Sequence, residues 1–154
     1  MNKNEIKQKN ISSGNLVAIR IRGLTEIKTK IEDTLKMLRL YKNNYCAVLP
    51  NNQLYLGMLK KAKDYITWGE IDEVTFKMLV EKRGQQFNGL ETDTKRKINF
   101  NDFFVFDNKK YKKFFRLNAP RKGFGRKGIK HPYKNGGALG YRGLTINDLI
   151  KRMI

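Results

Sequence analysis

Leu16-Val-Ala-Ile-Arg-Ile21, closed by Gly23, reads as a β-strand, and the pattern on either side of it sets the fold. Thr29-Lys-Ile-Glu32 has the spacing of a capping box, a side-chain oxygen at a helix start answered by a carboxylate further on. Ile27, Ile31, Leu35 and Leu38 mark one face of the helix that follows, and Asn43-Asn44 breaks it. Tyr45 to Leu49 is a short buried strand before Pro50. Asn51 or Asn52 can cap a second helix through Leu54, Met58, Leu59 and Ala62. Tyr65 to Trp68 is a third strand ending at Gly69, and Asp72 caps a third helix through Val74, Met78 and Leu79, with Gly84 as its stop. The order β-α-β-α-β-α predicts an α+β domain: a small antiparallel sheet with helices on one face, in a ferredoxin-like split β-α-β layout.

Outside this block the chain changes character. Residues 1–14 are polar and end in Ser12-Ser13-Gly14, the composition of a flexible tail, and residues 15–154 form a single domain. Residues 85–99 are polar and irregular, part of a surface excursion over 85–113. Within it Phe100, Phe103, Phe104 and Phe106 suggest a short buried segment, helix or strand. Phe114 to Leu117 reads as a further strand that feeds a glycine-rich loop over 119–143. Thr145 is placed to N-cap a last helix, with Asp148 at its third position, Leu144 stapling onto Leu149, and Ile150 and Met153 completing the apolar face.

Charge is the strongest functional signal. The chain of 154 residues carries a net charge of +19, and Asn108 to Asn147 holds twelve Lys or Arg and no Asp or Glu. Seven of the thirteen glycines lie between Gly123 and Gly143. Such a field opposes compaction unless a polyanion takes it up, and nucleic acid is the commonest polyanion. An anionic membrane would be met by an amphipathic basic helix, which Pro120, Pro132 and the glycines forbid here. No apolar run approaches the roughly 18 residues of a membrane span, and Met1 to Asn10 has no secretory h-region. One cysteine and one histidine exclude a disulfide framework and an ordinary zinc site. Reducing cytoplasm is the compartment expected.

Several patterns imitate active sites. Gly123-Phe-Gly-Arg-Lys-Gly128, followed by Asp148, has the letters of a dinucleotide fingerprint, but that mechanism needs a strand before the glycines and a helix opening at them. Pro120 and Pro132 deny it both, and no cofactor is expected. Cys46 and His131 could be written as nucleophile and base, yet Cys46 stands in an apolar strand and His131 among cations. Asp64, Glu70, Asp72 and Glu73 suit caps and turns, and Lys95-Arg96-Lys97 suits a solvated surface. The basic segment goes further, because its cations alternate with aromatics and its glycines let backbone N–H groups approach phosphate. The candidate RNA contacts are Arg22, Lys112, Lys113, Arg116, Arg121, Lys122, Phe124, Arg126, Lys127, Lys130, His131, Tyr133, Lys134, Tyr141 and Arg142. With no base-reading signature, shape and backbone contacts to folded RNA are expected.

Phe115-Arg-Leu-Asn-Ala-Pro-Arg-Lys-Gly-Phe124, Gly128-Ile-Lys-His-Pro132, Gly136-Gly-Ala-Leu-Gly-Tyr-Arg-Gly143 and Ile146-Asn-Asp-Leu-Ile-Lys-Arg-Met153 together resemble the large-subunit ribosomal protein family L-thirty, in its archaeal form, related to eukaryotic L-seven. Arg22-Gly23, Thr34-Leu-Lys-Met-Leu-Arg-Leu40, Tyr55-Leu-Gly-Met58 and Trp68-Gly69 agree with it, so the resemblance spans about residues 15–154. It departs at Ala119-Pro120, where the family has two prolines, and residues 85–113 fall outside it. The resemblance implies a ferredoxin-like sheet, binding to 23S-type large-subunit rRNA in the neighbourhood of the 5S rRNA, neighbouring large-subunit proteins as partners, a place on the cytoplasmic ribosome, and neither enzymatic activity nor cofactor. Another RNA-binding module on the same fold is the alternative, and a dinucleotide-binding enzyme is the third.

Overall fold

The computed structural model describes residues 14–154, so the expected tail, apart from Gly14, lies outside the described residues. Three strands and three helices alternate as the sequence predicts: β1 (Asn15–Arg20), α1 (Thr29–Met37), β2 (Tyr45–Pro50), α2 (Gln53–Lys61), β3 (Ile66–Glu70) and α3 (Glu73–Arg83). A hairpin follows, β4 (Phe103–Phe106) and β5 (Lys109–Lys112), then β6 (Phe115–Arg116), β7 (Gly140–Tyr141) and α4 (Ile146–Met153). The main sheet has the order β6-β2-β1-β3-β7. β1 is antiparallel to both β2 and β3, so β2-α2-β3 is a split β-α-β unit with β1 between its strands. The edge pair β3–β7 is parallel.

The α+β class and the split layout hold, but the helices cover both faces of the sheet. Leu16, Ala18, Ala47, Leu49, Ile66 and Trp68 face α1 and α2, against Leu35, Leu38, Leu59 and Ala62. Val17, Ile19, Cys46, Phe115 and Leu117 face α3 and α4, against Phe76, Leu79, Val80, Ile146, Leu149, Ile150 and Met153. The reason is in β1, whose burial is unbroken from Asn15 to Arg20. A strand without polar alternation has two dry faces, and both must be covered. Each fully buried Leu or Ile contributes about 1.5–3 kcal/mol, so neither layer is dispensable.

Local details differ in instructive ways. Leu54 and Val74 are exposed, whereas Leu59, Ala62 and Leu79 are buried as expected, and Phe76 and Val80 complete the buried face of α3. Asn52 does cap α2, its side chain accepting from the Tyr55 N–H at 3.1 Å. Thr29 is the first residue inside α1, with Lys28 as N-cap, so the capping box does not form. Thr145 does not cap α4 either, because a 3-10 turn over Gly143–Thr145 runs into the helix and leaves Thr145 itself helical. Its hydroxyl donates back to the Arg142 carbonyl at 2.6 Å, and Leu144 points to solvent without stapling to Leu149. Of the phenylalanine segment left open by sequence, Phe103 to Phe106 form a strand, half-buried rather than buried, and Phe100 lies outside it and is exposed. Asp107 and Asn108, both at positive φ, turn the β4–β5 hairpin, and Phe104 and Phe106 pack on Phe76.

Candidate nucleic-acid interface

The basic loop leaves β6 at one edge of the sheet and returns as β7 at the other. It thereby crosses the end of the sheet where β1 finishes and where β2 and β3 begin. A small apolar cluster lies beneath it, Ile21 from the end of β1 with Ala138 and Leu139 from the loop and Phe124 packed against them. Gly137, Ala138 and Leu139 are buried and give the loop a floor.

Hydrogen bonds fix the loop at several points. The N–H groups of Ala138 and Leu139 both donate to the His131 carbonyl, at 2.9 and 3.1 Å, and Tyr133 N–H donates to the Leu139 carbonyl at 2.7 Å. Gly137 makes this crossing possible, since a Cβ there would stand 2.1 Å from the His131 oxygen. Arg152 of α4 donates through Nη1 to the carbonyls of Arg121 and Gly123, at 3.1 and 2.8 Å. Arg142 is the inner clamp. Its Nε donates to Thr67 Oγ1 at 3.0 Å and its Nη2 to the carbonyls of Phe124 and Ala138, at 3.2 and 3.1 Å, while Tyr133 covers the guanidinium at 4.7 Å.

The candidate residues therefore divide by position. Arg116, Arg121, Lys122, Arg126, Lys127, Lys130, His131, Tyr133 and Lys134 are exposed. Among the described residues none of these cations has a carboxylate within ion-pair distance. Arg22 joins them at the same end of the sheet, over the Tyr65 ring at 5.1 Å. Lys112 and Arg116 lie at the β6 edge, over Phe114 and Tyr45 at 6.0 and 5.9 Å. Lys113 instead lines an apolar cleft with Val48, Phe76, Phe104 and Phe115, and burial, then the nearby Arg39 charge, lower its pKa against the opposing pull of Asp102. Phe124 and Arg142 turn inward as parts of the loop's support. Tyr141 donates its hydroxyl to Glu70 at 2.6 Å, and that bond, with burial and the Glu70 charge, raises its pKa.

Gly123 to Gly128 lies in successive turns, and no helix opens there, so the dinucleotide geometry is missing. Cys46 is fully buried in the core, and burial pushes its thiol pKa far up. Sequence reading missed Arg20. It is buried in β1 and donates to the carbonyls of Arg22, Gly23, Leu40 and Tyr41, at 2.9–3.2 Å, holding together the turns beside the basic end. Its only sequence signal is that a cation interrupts an otherwise apolar strand.

Comparison with known proteins gives the family. The ribosomal protein L30p/L7e family matches residues 16–66, from β1 to the start of β3. A large ribosomal subunit protein uL30 from Nanoarchaeum equitans is 45% identical over 148 residues, covering 88% of this chain and 96% of the relative. The chain belongs to the L30p/L7e family. Relatives named large ribosomal subunit protein uL30 from Methanopyrus kandleri and Methanosphaera stadtmanae are 41% and 44% identical, covering 87% and 88% of this chain and 100% and 97% of their own lengths. L30p/L7e members are structural ribosomal proteins and not enzymes. The alignments cover nearly all of each relative, so the likeness is not confined to the β1–β3 block that the family match marks.

Proposed function

We propose that this chain is a structural constituent of the large ribosomal subunit that binds and stabilises large-subunit rRNA and so supports translation. The observation that carries the reading is the exposed cationic surface of Arg121, Lys122, Arg126, Lys127, Lys130 and Lys134, free of acids and held on a backbone pinned from within. Lys and Arg displace condensed counterions from closely spaced phosphates, and the glycine-rich backbone brings N–H groups near the same oxygens. Arg22, Lys112 and Arg116 extend that surface along the end and edge of the sheet. His131 and Tyr133 add a phosphate or base contact. Binding is by shape and charge rather than by reading sequence.

The family resemblance supports 23S-type rRNA near the 5S rRNA as the contact proposed here, with other large-subunit proteins beside it. Binding to large-subunit rRNA should weaken steeply with salt: log K against log salt falls by roughly 0.7–0.9 per phosphate contacted, so about six contacts give a slope of roughly 4–5. A slope worth one or two contacts refutes the charge mechanism. Protection footprints with and without the protein identify the helices contacted.

A further inference from the structure

The opposite end of the sheet is of a different kind. From Glu70 to Glu73 the chain has three acids and no Lys or Arg, in a molecule of net charge +19. Glu70 closes β3, and Asp72 and Glu73 lead into α3, at the end of the sheet where β1 begins. Three large apolar side chains are exposed in the same region: Val74 at 69%, Leu144 at 69% and Tyr141 at 52%. One buried amide ties this surface together. Asn147 donates through Nδ2 to the Leu144 carbonyl, the Glu70 carbonyl and the Asp72 carboxylate, at 2.9, 3.0 and 3.2 Å, and accepts the Asp72 N–H at 3.0 Å. Gly69 lets the Gly143 turn press onto β3, since a Cβ there would lie 2.1 Å from the Gly143 oxygen. Leu144 is thus held outward on a turn whose backbone is fixed on both sides.

We infer that this surface, Val74, Tyr141 and Leu144 set among Glu70, Asp72 and Glu73, docks a Lys/Arg-rich protein segment that carries apolar side chains. The inference rests on the ribosomal reading. Glu70, Asp72 and Glu73, the last paired with Lys77 at 3.1 Å, make this end a poorer surface for phosphate than the basic one. Exposed leucine and valine rimmed by carboxylates match a basic peptide with apolar anchors, which gains burial at its centre and charge complementarity at its rim. Asn147 spends its amide on internal bonds, so it orients the surface rather than contacting the partner.

The test uses the full chain assembled into purified large subunits, with a benzophenone photo-crosslinking residue at Leu144 in one preparation and at Lys130 in another. The Leu144 probe should couple to a Lys/Arg-rich segment of another protein, identified by mass spectrometry, and the Lys130 probe to rRNA. Coupling of the Leu144 probe to rRNA, to a second copy of this chain or to nothing overturns the inference. A Lys130 probe that fails to reach RNA overturns the rRNA reading instead, so the two failures are distinct. In the free protein, a synthetic peptide of alternating Lys and Leu should shift the Val74 and Leu144 methyl resonances. Val74→Ser with Leu144→Ser should weaken that peptide at least tenfold and leave the salt slope for rRNA unchanged. Peptide affinity that survives the double substitution also overturns it.

Discussion

Arg142 and Thr67 join the two halves of the molecule: the guanidinium Nε donates to the threonine hydroxyl at 3.0 Å, and that hydroxyl donates to the Gly140 carbonyl at 2.8 Å. A residue of the basic loop is thereby built into the sheet, 75 positions from its partner.

Arg142→Met should keep the volume of the clamp and remove its donors. The carbonyls of Phe124 and Ala138 lose their partner, and stranded buried acceptors make the loss about 2–4 kcal/mol. Burial, with the Arg152 charge adding to it and Tyr133 opposing it, also lowers the Arg142 pKa. Thermal unfolding measures the loss, and an unchanged midpoint would contradict the clamp.

Hydrogen exchange on the free protein should divide the loop in two. The Tyr133, Ala138, Leu139 and Arg142 amides, all bonded to backbone carbonyls, should be protected, while Lys122, Arg126 and Lys130 exchange quickly. On rRNA the second set should slow. Uniformly fast exchange over 121–142 would mean that the apolar floor under the loop does not hold.

Replacing Arg121, Lys122, Arg126 and Lys127 together by Ala should weaken rRNA binding by about 1 kcal/mol per lost contact and leave the fold intact. These side chains are exposed and support nothing inside the domain. Wild-type affinity in this variant would place the RNA surface elsewhere.

Tyr141 should titrate above the ordinary tyrosine value, because ionisation breaks its bond to Glu70 and sets two negative charges side by side. The stabilisation is present below the unfolded tyrosine pKa of about 10 and lost as pH rises through the raised folded value. Ultraviolet titration of the protein and of Glu70→Gln reads the effect: the substitution should lower the Tyr141 midpoint, and an unmoved midpoint would show that the bond does not form.

The alternation of strands and helices was legible because each apolar run is short and bounded by Gly, Asn or Pro. Helix faces were less so, since Leu54 and Val74 fit the periodicity but stand in first turns that overhang the core. The two-faced burial could have been read from Leu16 to Ile21, where no polar alternation leaves a wet side. Arg20 and Arg142 defeat sequence reading for a common reason: composition treats arginine as a surface charge, and only the fold shows carbonyls converging on a guanidinium. The chemistry of the exposed cations was legible because it depends on the absence of acids, a property of the string itself. Thr145 and Leu144 misled because a motif specifies which contacts are available and the 3-10 turn before α4 removes the conformation they need.

β7 and α4 follow everything else in the chain, yet β7 borders β3 and α4 supplies Ile146, Leu149, Ile150 and Met153 to the core. During synthesis, a chain stalled before residue 140 would have the β3 edge of its sheet open and one face covered by α3 alone. Its loop cations from Arg121 to Lys134 would already be made, and so would the residues of the apolar floor, but the Arg142 clamp would be missing. Arg142 follows the cations that it helps to position, so a partial chain would carry the charge of the proposed RNA surface without its final form.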